Sequence, residues 1–221
     1  MIIPNYVHQF EIGHFKNFIY VLLDESTKTA AIVDPQSDLT EPMSLLQSLG
    51  YELTMILLTH THHDHIAGVK PLLTRYPHLP VRVGARDVHR FDKDVTQASG
   101  LEIIQDEKPF FLGKLEIRPM LTPGHSAGAV SYYVPLQSGV QVPSFFTGDT
   151  IFIRDCGRTD GDTGSNEEMF ASIQRIKTLP SETIFWVGHH YAKESVTDLA
   201  TEIESSPPFR VKTVAELAAL P

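Results

Sequence analysis

The sequence holds one cysteine and one tryptophan in 221 residues, fewer cations than anions, and no long apolar run. A lone thiol, Cys156, cannot close an internal disulfide, and it rules out a zinc knuckle built on several thiolates. Against 27 Asp and Glu stand only 18 Lys and Arg, a formal charge of -9. With no basic stripe to neutralise phosphates, nucleic acid and an anionic membrane surface are not expected as partners. No stretch stays apolar over the roughly 20 residues that span a bilayer. The start, MIIPNYVHQF, lacks the basic and apolar regions of a secretory leader, so a cytoplasmic location is expected. Low-complexity segments and evident linkers are missing too, and residues 1–221 read as one domain. An apolar fraction of 42% with 20% charged excludes a disordered chain or a fibre.

What is present alternates. Phe18–Leu23, Ala30–Val33 and Met55–Leu58 are short apolar runs bounded by polar, Gly or Pro residues, the pattern of strands covered on both faces. Between them SDLTEPMSLLQSLG predicts a helix capped by Asp38, with Glu41 three residues on and Gly50 ending it, which gives β, β, α, β. Leu115–Met120, Ala129–Val134, Ser144–Thr147 and Thr183–Val187 follow as strands. Asn166–Leu179 reads as a helix stopped by Pro180, and TVAELAAL as a short last helix with Thr213 and Glu216 as its capping box.

Polar clusters follow several of these strands directly: THTHHDH, TPGHS, TGDT and GHHY. Loops at strand ends are held by a rigid sheet, so residues distant in sequence can converge on one edge. In an extended segment alternate side chains point the same way, so His60 and His62 can reach one ion together, while Asp64 and His65 open the next turn and can aim at a neighbouring position. Imidazole and carboxylate suit zinc, iron or manganese. His125, Asp149 and His189, each in a glycine-containing loop, supply further donors. His63 and His190 read as spacers, and His8, His14, His78 and His89 as ordinary histidines.

THTHHDH, TPGHS, TGDT and GHHY, in this order and at these intervals, resemble the metal-binding motifs of the metallo-β-lactamase superfamily over almost the whole chain. The resemblance implies an α/β fold, a four-layer αββα sandwich with a metal site along one edge. It implies His60, His62 and His125 as ligands of a first ion, Asp64, His65 and His189 of a second, and Asp149 bridging them, with Asp64 also catalytic. The implied cofactors are two divalent ions, zinc foremost, with iron or manganese as alternatives. Their shared hydroxide would be the nucleophile.

GDTIF, the EEMFASIQRIKTLP segment and GHHY resemble glyoxalase II and its short relatives, which hydrolyse acylated thiols. That implies a metal-dependent thioesterase whose partner is a small thiol ester (acyl-glutathione or acyl-coenzyme A) or an acyl group on a carrier protein. IRDCGRTD resembles the persulfide dioxygenases, mononuclear iron enzymes acting on glutathione persulfide, although GDT replaces the aromatic and glutamine that usually follow. In both branches Arg158 and Tyr191 would line the thiol pocket; otherwise Arg158 would form a buried pair with Asp160. Cys156 is expected to pack rather than react. Exported lactam hydrolases and phosphate-binding nucleases fit poorly, and a non-catalytic metal module is disfavoured by donors that leave room for water.

Overall fold

The run FIYVLL lies inside strand β2, Asn17–Asp24, of which every residue is buried. Strand alternation explains the double burial: Phe18, Tyr20 and Leu22 face a second sheet, whereas Val21 and Leu23 face helices. The computed structural model describes residues 3–96 and 100–220; Met1 and Ile2 of the stretch read for a leader lie outside them. The first sheet has the order β1-β2-β3-β4-β5-β6, with β1 at Val7–Ile12, β3 at Thr29–Val33, β4 at Glu52–Leu57, β5 at Val81–Val83 and β6 at Leu101–Ile103. Its first three strands are antiparallel, and β3 through β6 run parallel.

The second sheet, in the order β14-β13-β10-β9-β8-β7, contains β7 (Phe110–Leu112), β8 (Leu115–Leu121), β9 (Val130–Val134), β10 (Ser144–Gly148), β13 (Ile184–Val187) and β14 (Thr197–Asp198). A small hairpin, β11 (Ile151–Phe152) with β12 (Asp155–Cys156), stands apart and ends at Cys156, where the CGR segment begins.

Three apolar layers hold this together. Between the sheets pack Tyr20, Leu22, Leu57, Ile117, Tyr132, Phe146 and Trp186. Outside the first sheet, Val21, Ile32 and Ile56 meet Leu46 of α1 (Thr40–Leu49) and Leu72 of α3 (Val69–Arg75), on either side of the one-turn α2 (His63–Ile66) in sequence. A short helix α4 (Lys93–Thr96) brings Val95 to the same layer. Outside the second sheet, Phe145 and Phe185 meet Met169 and Ile173 of α5 (Asn166–Ile176), Leu199 of α6 (Leu199–Ser205), Phe209 of α7 (Pro207–Arg210) and Leu217 of α8 (Val214–Ala218). The αββα sandwich follows from this layering. Each fully buried Leu, Ile or Phe contributes about 1.5–3 kcal/mol.

Several local expectations shift. Strand β1 precedes the expected β, β, α, β; its mixed burial left no clean apolar run to read. The N-cap position of α1 is Leu39 rather than Asp38, although the Asp38 carboxylate still accepts from the first helical N–H, Thr40 N, at 3.0 Å. Gly50 does end α1, with φ of 69°. Helix α5 stops at Ile176 and gives way to turns before Pro180. Thr213 caps α8 by accepting from Glu216 N, as expected, while the Glu216 carboxylate reaches back to Lys212 N.

Candidate metal centre

Strand β4 ends at Leu57 and delivers the loop from Thr59 to His62, of which His62 is extended, and α2 then lifts Asp64 and His65. His125 lies between β8 and β9, Asp149 directly after β10, and His189 directly after β13. Because β10 and β13 are parallel neighbours, Asp149 and His189 leave the sheet side by side. The fold thereby gathers every expected donor at one edge. The donor atoms of His60, His62 and His125 fall within 4.8 Å of one another, and so do those of Asp64, His65 and His189.

Asp149 lies between the two groups. Its Oδ2 is 3.9 Å from His60 Nε2, 3.6 Å from His125 Nε2 and 3.3 Å from His189 Nε2, and its Oδ1 is 3.4 Å from His65 Nε2.

In three of the five rings the far nitrogen shows which atom is free to ligate. His125 Nδ1 is 2.9 Å from the Arg158 carbonyl, His189 Nδ1 is 2.7 Å from the Phe15 carbonyl, and His65 Nδ1 is 3.0 Å from Asp34 Oδ2. Such contacts place the proton on Nδ1 and leave the Nε2 lone pair for a cation. His125 Nε2 and His62 Nδ1 nevertheless face each other at 2.9 Å, as do His65 Nε2 and His189 Nε2 at 3.1 Å. His60 Nε2 and Asp149 Oδ1 are buried without a hydrogen-bond partner. Acceptors turned toward one another with orphaned buried atoms among them fit a divalent cation, because among the described residues no donor satisfies them together.

The electrostatics agree. Burial pushes His60 well below the ordinary histidine range, helped by the neighbouring His65, so it stays in the neutral, ligating form. Burial opposes charge on Asp149, but His65, His189 and His60 hold its carboxyl well below the usual carboxylate range. His65 is likewise opposed by burial and carried well above its ordinary value by Asp149 and Asp34. Asp64 is lowered, since His65 and the Asn17 amide outweigh burial. A cation held by these ligands would compete with the proton that Asp149 and Asp34 favour on His65.

Three supporting residues were not anticipated. Asp34, with φ of 50°, is buried and accepts from Thr59 N at 2.7 Å, Thr59 Oγ1 at 2.5 Å and the His65 ring. It also falls in a third grouping with His60 and His65, but these bonds engage its carboxylate as a brace. Its signal was present: AAIVDP puts an aspartate straight after an apolar strand, as in the other site loops.

Asp87 sits in a 3-10 turn, Ala85–Arg90, fully buried, and accepts from Thr61 N, Ser126 Oγ, Gly128 N and Arg90, tying the His60–His62 loop to the His125 loop. Asn17 bonds to Asp64, and nothing in its strand marked it.

His63 and His190 turn away from the donor groups: the His63 side chain is 85% exposed, and His190 Nδ1 lies 2.6 Å from a Glu11 carboxylate oxygen. His8, His14, His78 and His89 belong to none of the donor groups among the described residues. The Arg158–Asp160 pair, the alternative to a substrate contact, forms at 2.7 Å, but on the surface rather than buried, with side chains 71% and 77% exposed. Tyr191 lies flat on the His189 ring, centroids 4.7 Å apart, with most of its own ring open to solvent. Cys156 packs beside the α5–α8 layer, and burial pushes its thiol up to about 12.

Residues 13–189 match the model of the Metallo-beta-lactamase superfamily, and the chain belongs to that superfamily. The probable polyketide biosynthesis zinc-dependent hydrolase BaeB of Bacillus velezensis is 32% identical over 210 residues, covering 93% of this chain and 88% of that protein. A hydroxyacylglutathione hydrolase of Synechococcus is 34% identical over 197 residues, covering 89% and 72%.

Among solved structures, a metallo-β-lactamase from Staphylococcus aureus superposes with a TM-score of 0.82 at 25% identity over 96% of this chain, which spans 64% of that one. ETHE1 from Myxococcus xanthus gives 0.81 at 26% identity, covering 97% and 92%. Among the described residues no helix is long and apolar enough to cross a membrane.

Proposed function

We propose that this protein is a metal-dependent hydrolase of thioesters, acting on an acyl-glutathione, an acyl-coenzyme A or an acyl group borne by a carrier protein. The observation that carries the reading is the division of the donors into two sets with Asp149 between them. His60, His62 and His125 would hold one divalent ion and Asp64, His65 and His189 another, with Asp149 common to both. Zinc comes first, with iron or manganese able to replace it, since a zinc-dependent hydrolase is among the relatives. When bound, such ions lower the pKa of water toward neutrality and polarise a carbonyl oxygen.

The chain's own groups do the rest. Asp34 and the carbonyls of Phe15 and Arg158 fix the ring orientations. Asp64 Oδ2 faces the second set and the Asn17 amide, which leaves Oδ1 to take up the proton of the attacking water. Tyr191 offers its phenol to the substrate, and Arg158 can exchange its solvent-screened Asp160 for a substrate carboxylate at little cost.

A second reading is favoured by IRDCGRTD: a mononuclear iron persulfide dioxygenase using His60, His125 and Asp149, a set of two histidines and one carboxylate. Acyl-thioesters and glutathione persulfide offered in parallel separate the two, with free thiol followed in one vessel and dissolved oxygen in the other. Thiol release that stops on chelation and returns with zinc, iron or manganese is the expected result. Iron-dependent oxygen consumption on persulfide, without thioester cleavage under any of the three metals, overturns the hydrolase.

A further inference from the structure

Asn17 opens β2 and is 1% exposed. Its backbone pairs with His189 as an isolated bridge, and Phe18 N donates to the Gly188 carbonyl at 2.8 Å. The first sheet is thereby pinned to the loop that carries His189 from the second. The side chain of the same residue turns to α2: Nδ2 donates to Asp64 Oδ2 at 3.0 Å and lies 3.3 Å from both the Asp64 carbonyl and His65 Nε2. One residue therefore touches Asp64, His65 and His189, and among the described residues none of its hydrogen bonds reaches His60, His62 or His125.

The orientation of the amide follows from its partner. An ionised carboxylate only accepts, so the NH2 group must face Asp64 and the carbonyl must point elsewhere. That carbonyl, Asn17 Oδ1, is buried without a hydrogen-bond partner. An unpaired buried acceptor is unfavourable, and it persists here alongside the bond that the NH2 group makes to Asp64. The oxygen gripped is also the one that faces the ring nitrogens, 3.6 Å from His65 Nε2 and 3.5 Å from His189 Nε2.

His65 and His189 have their own braces in Asp34 and the Phe15 carbonyl. For Asp64 that part falls to Asn17: among the described residues this amide is the one side chain that donates a hydrogen bond to its carboxylate, beside the backbone N–H of Asp64 itself.

We propose that Asn17 is a positioning residue that sets the affinity of the second ion alone, by holding Asp64 Oδ2 in its ligating orientation. The inference rests on the two-ion reading above. Outer partners of metal ligands commonly change affinity by about 10- to 100-fold when removed. The first set does not lean on Asn17, so the effect is confined to one ion.

The test withdraws zinc stepwise from the loaded full chain with a graded chelator, comparing wild type with Asn17→Leu, which keeps the branched shape and removes the donor, and with the smaller Asn17→Ser as a second variant should the first fail to fold. Melting temperature of the stripped proteins is recorded alongside. The expected result is two equivalents in wild type, a second equivalent weakened by about 10- to 100-fold in the variants, a first equivalent moved by less than about twofold, and little change in melting of the stripped form. If both equivalents weaken together with melting, Asn17 is merely structural and the inference falls. If wild type holds two ions and the second constant does not move, the inference falls alone. A wild type that holds a single ion overturns the two-ion reading and the inference with it.

Discussion

Gly188 stands so close to Asp149 that a Cβ built on it would lie 2.1 Å from the carboxylate Oδ1 and 3.0 Å from the Gly148 carbonyl. A side chain cannot enter without moving the carboxylate that spans both donor sets. Gly188→Ala is therefore expected to lower zinc affinity by roughly tenfold or more, read as zinc per chain after dialysis against a weak chelator. Full zinc content in that variant would show that the carboxylate relocates freely and that Asp149 is not held in place by its surroundings.

The substrate assignments separate from the metal assignments by experiment. Arg158→Ala and Tyr191→Ala are each expected to weaken substrate binding by about 1–3 kcal/mol in kcat/KM while zinc content stays unchanged. The Arg158 carbonyl that supports His125 survives the truncation, because only the side chain is lost. Zinc lost from Tyr191→Ala would instead make its stack on His189 part of the ligand scaffold.

Away from the site, Asp24 predicts a pH-dependent stability. Its carboxylate accepts from Thr27 Oγ1, Lys114 N and Ser26 Oγ and joins the turn after β2 to the turn after β7. Burial opposes its charge, yet these hydrogen bonds hold its carboxyl below the usual range. A carboxyl with a depressed folded pKa contributes stability above its unfolded value, near 3.9, and loses it as pH falls through the folded value. Asp24→Asn should cost about 1–2 kcal/mol in urea unfolding at pH 7, and the gap to wild type should close as pH drops below about 4. A gap of the same size at pH 7 and pH 3 would assign the loss to shape rather than charge.

Much of the fold was legible in local patterns. Phe18–Leu23 and Ala30–Val33 are uninterrupted apolar runs, Ser144–Thr147 carries Phe145 and Phe146 at its centre, and each lies within a buried strand. The three-residue strands β5, β6 and β7 were not read, because three residues are too few to display a period of two. Strand β1 escaped because only Val7 in it is buried.

The donor types were legible for a similar reason. His60, His62, Asp64 and His65 crowd into one short segment, and His125, Asp149 and His189 follow strands in glycine-bearing loops, so residue type and local context alone mark them.

Which polar group braces which ligand was decided only by the tertiary structure. Asn17 meets Asp64 across 47 positions, Asp34 meets His65 across 31, and Asp87 meets Gly128 across 41. Local sequence determines backbone preference and which face a residue buries, since those depend on neighbours along the chain. A buried carboxylate or amide is satisfied by whatever donor the packed layers bring within about 3 Å, and that partner is selected by the closing of the two sheets over their common core.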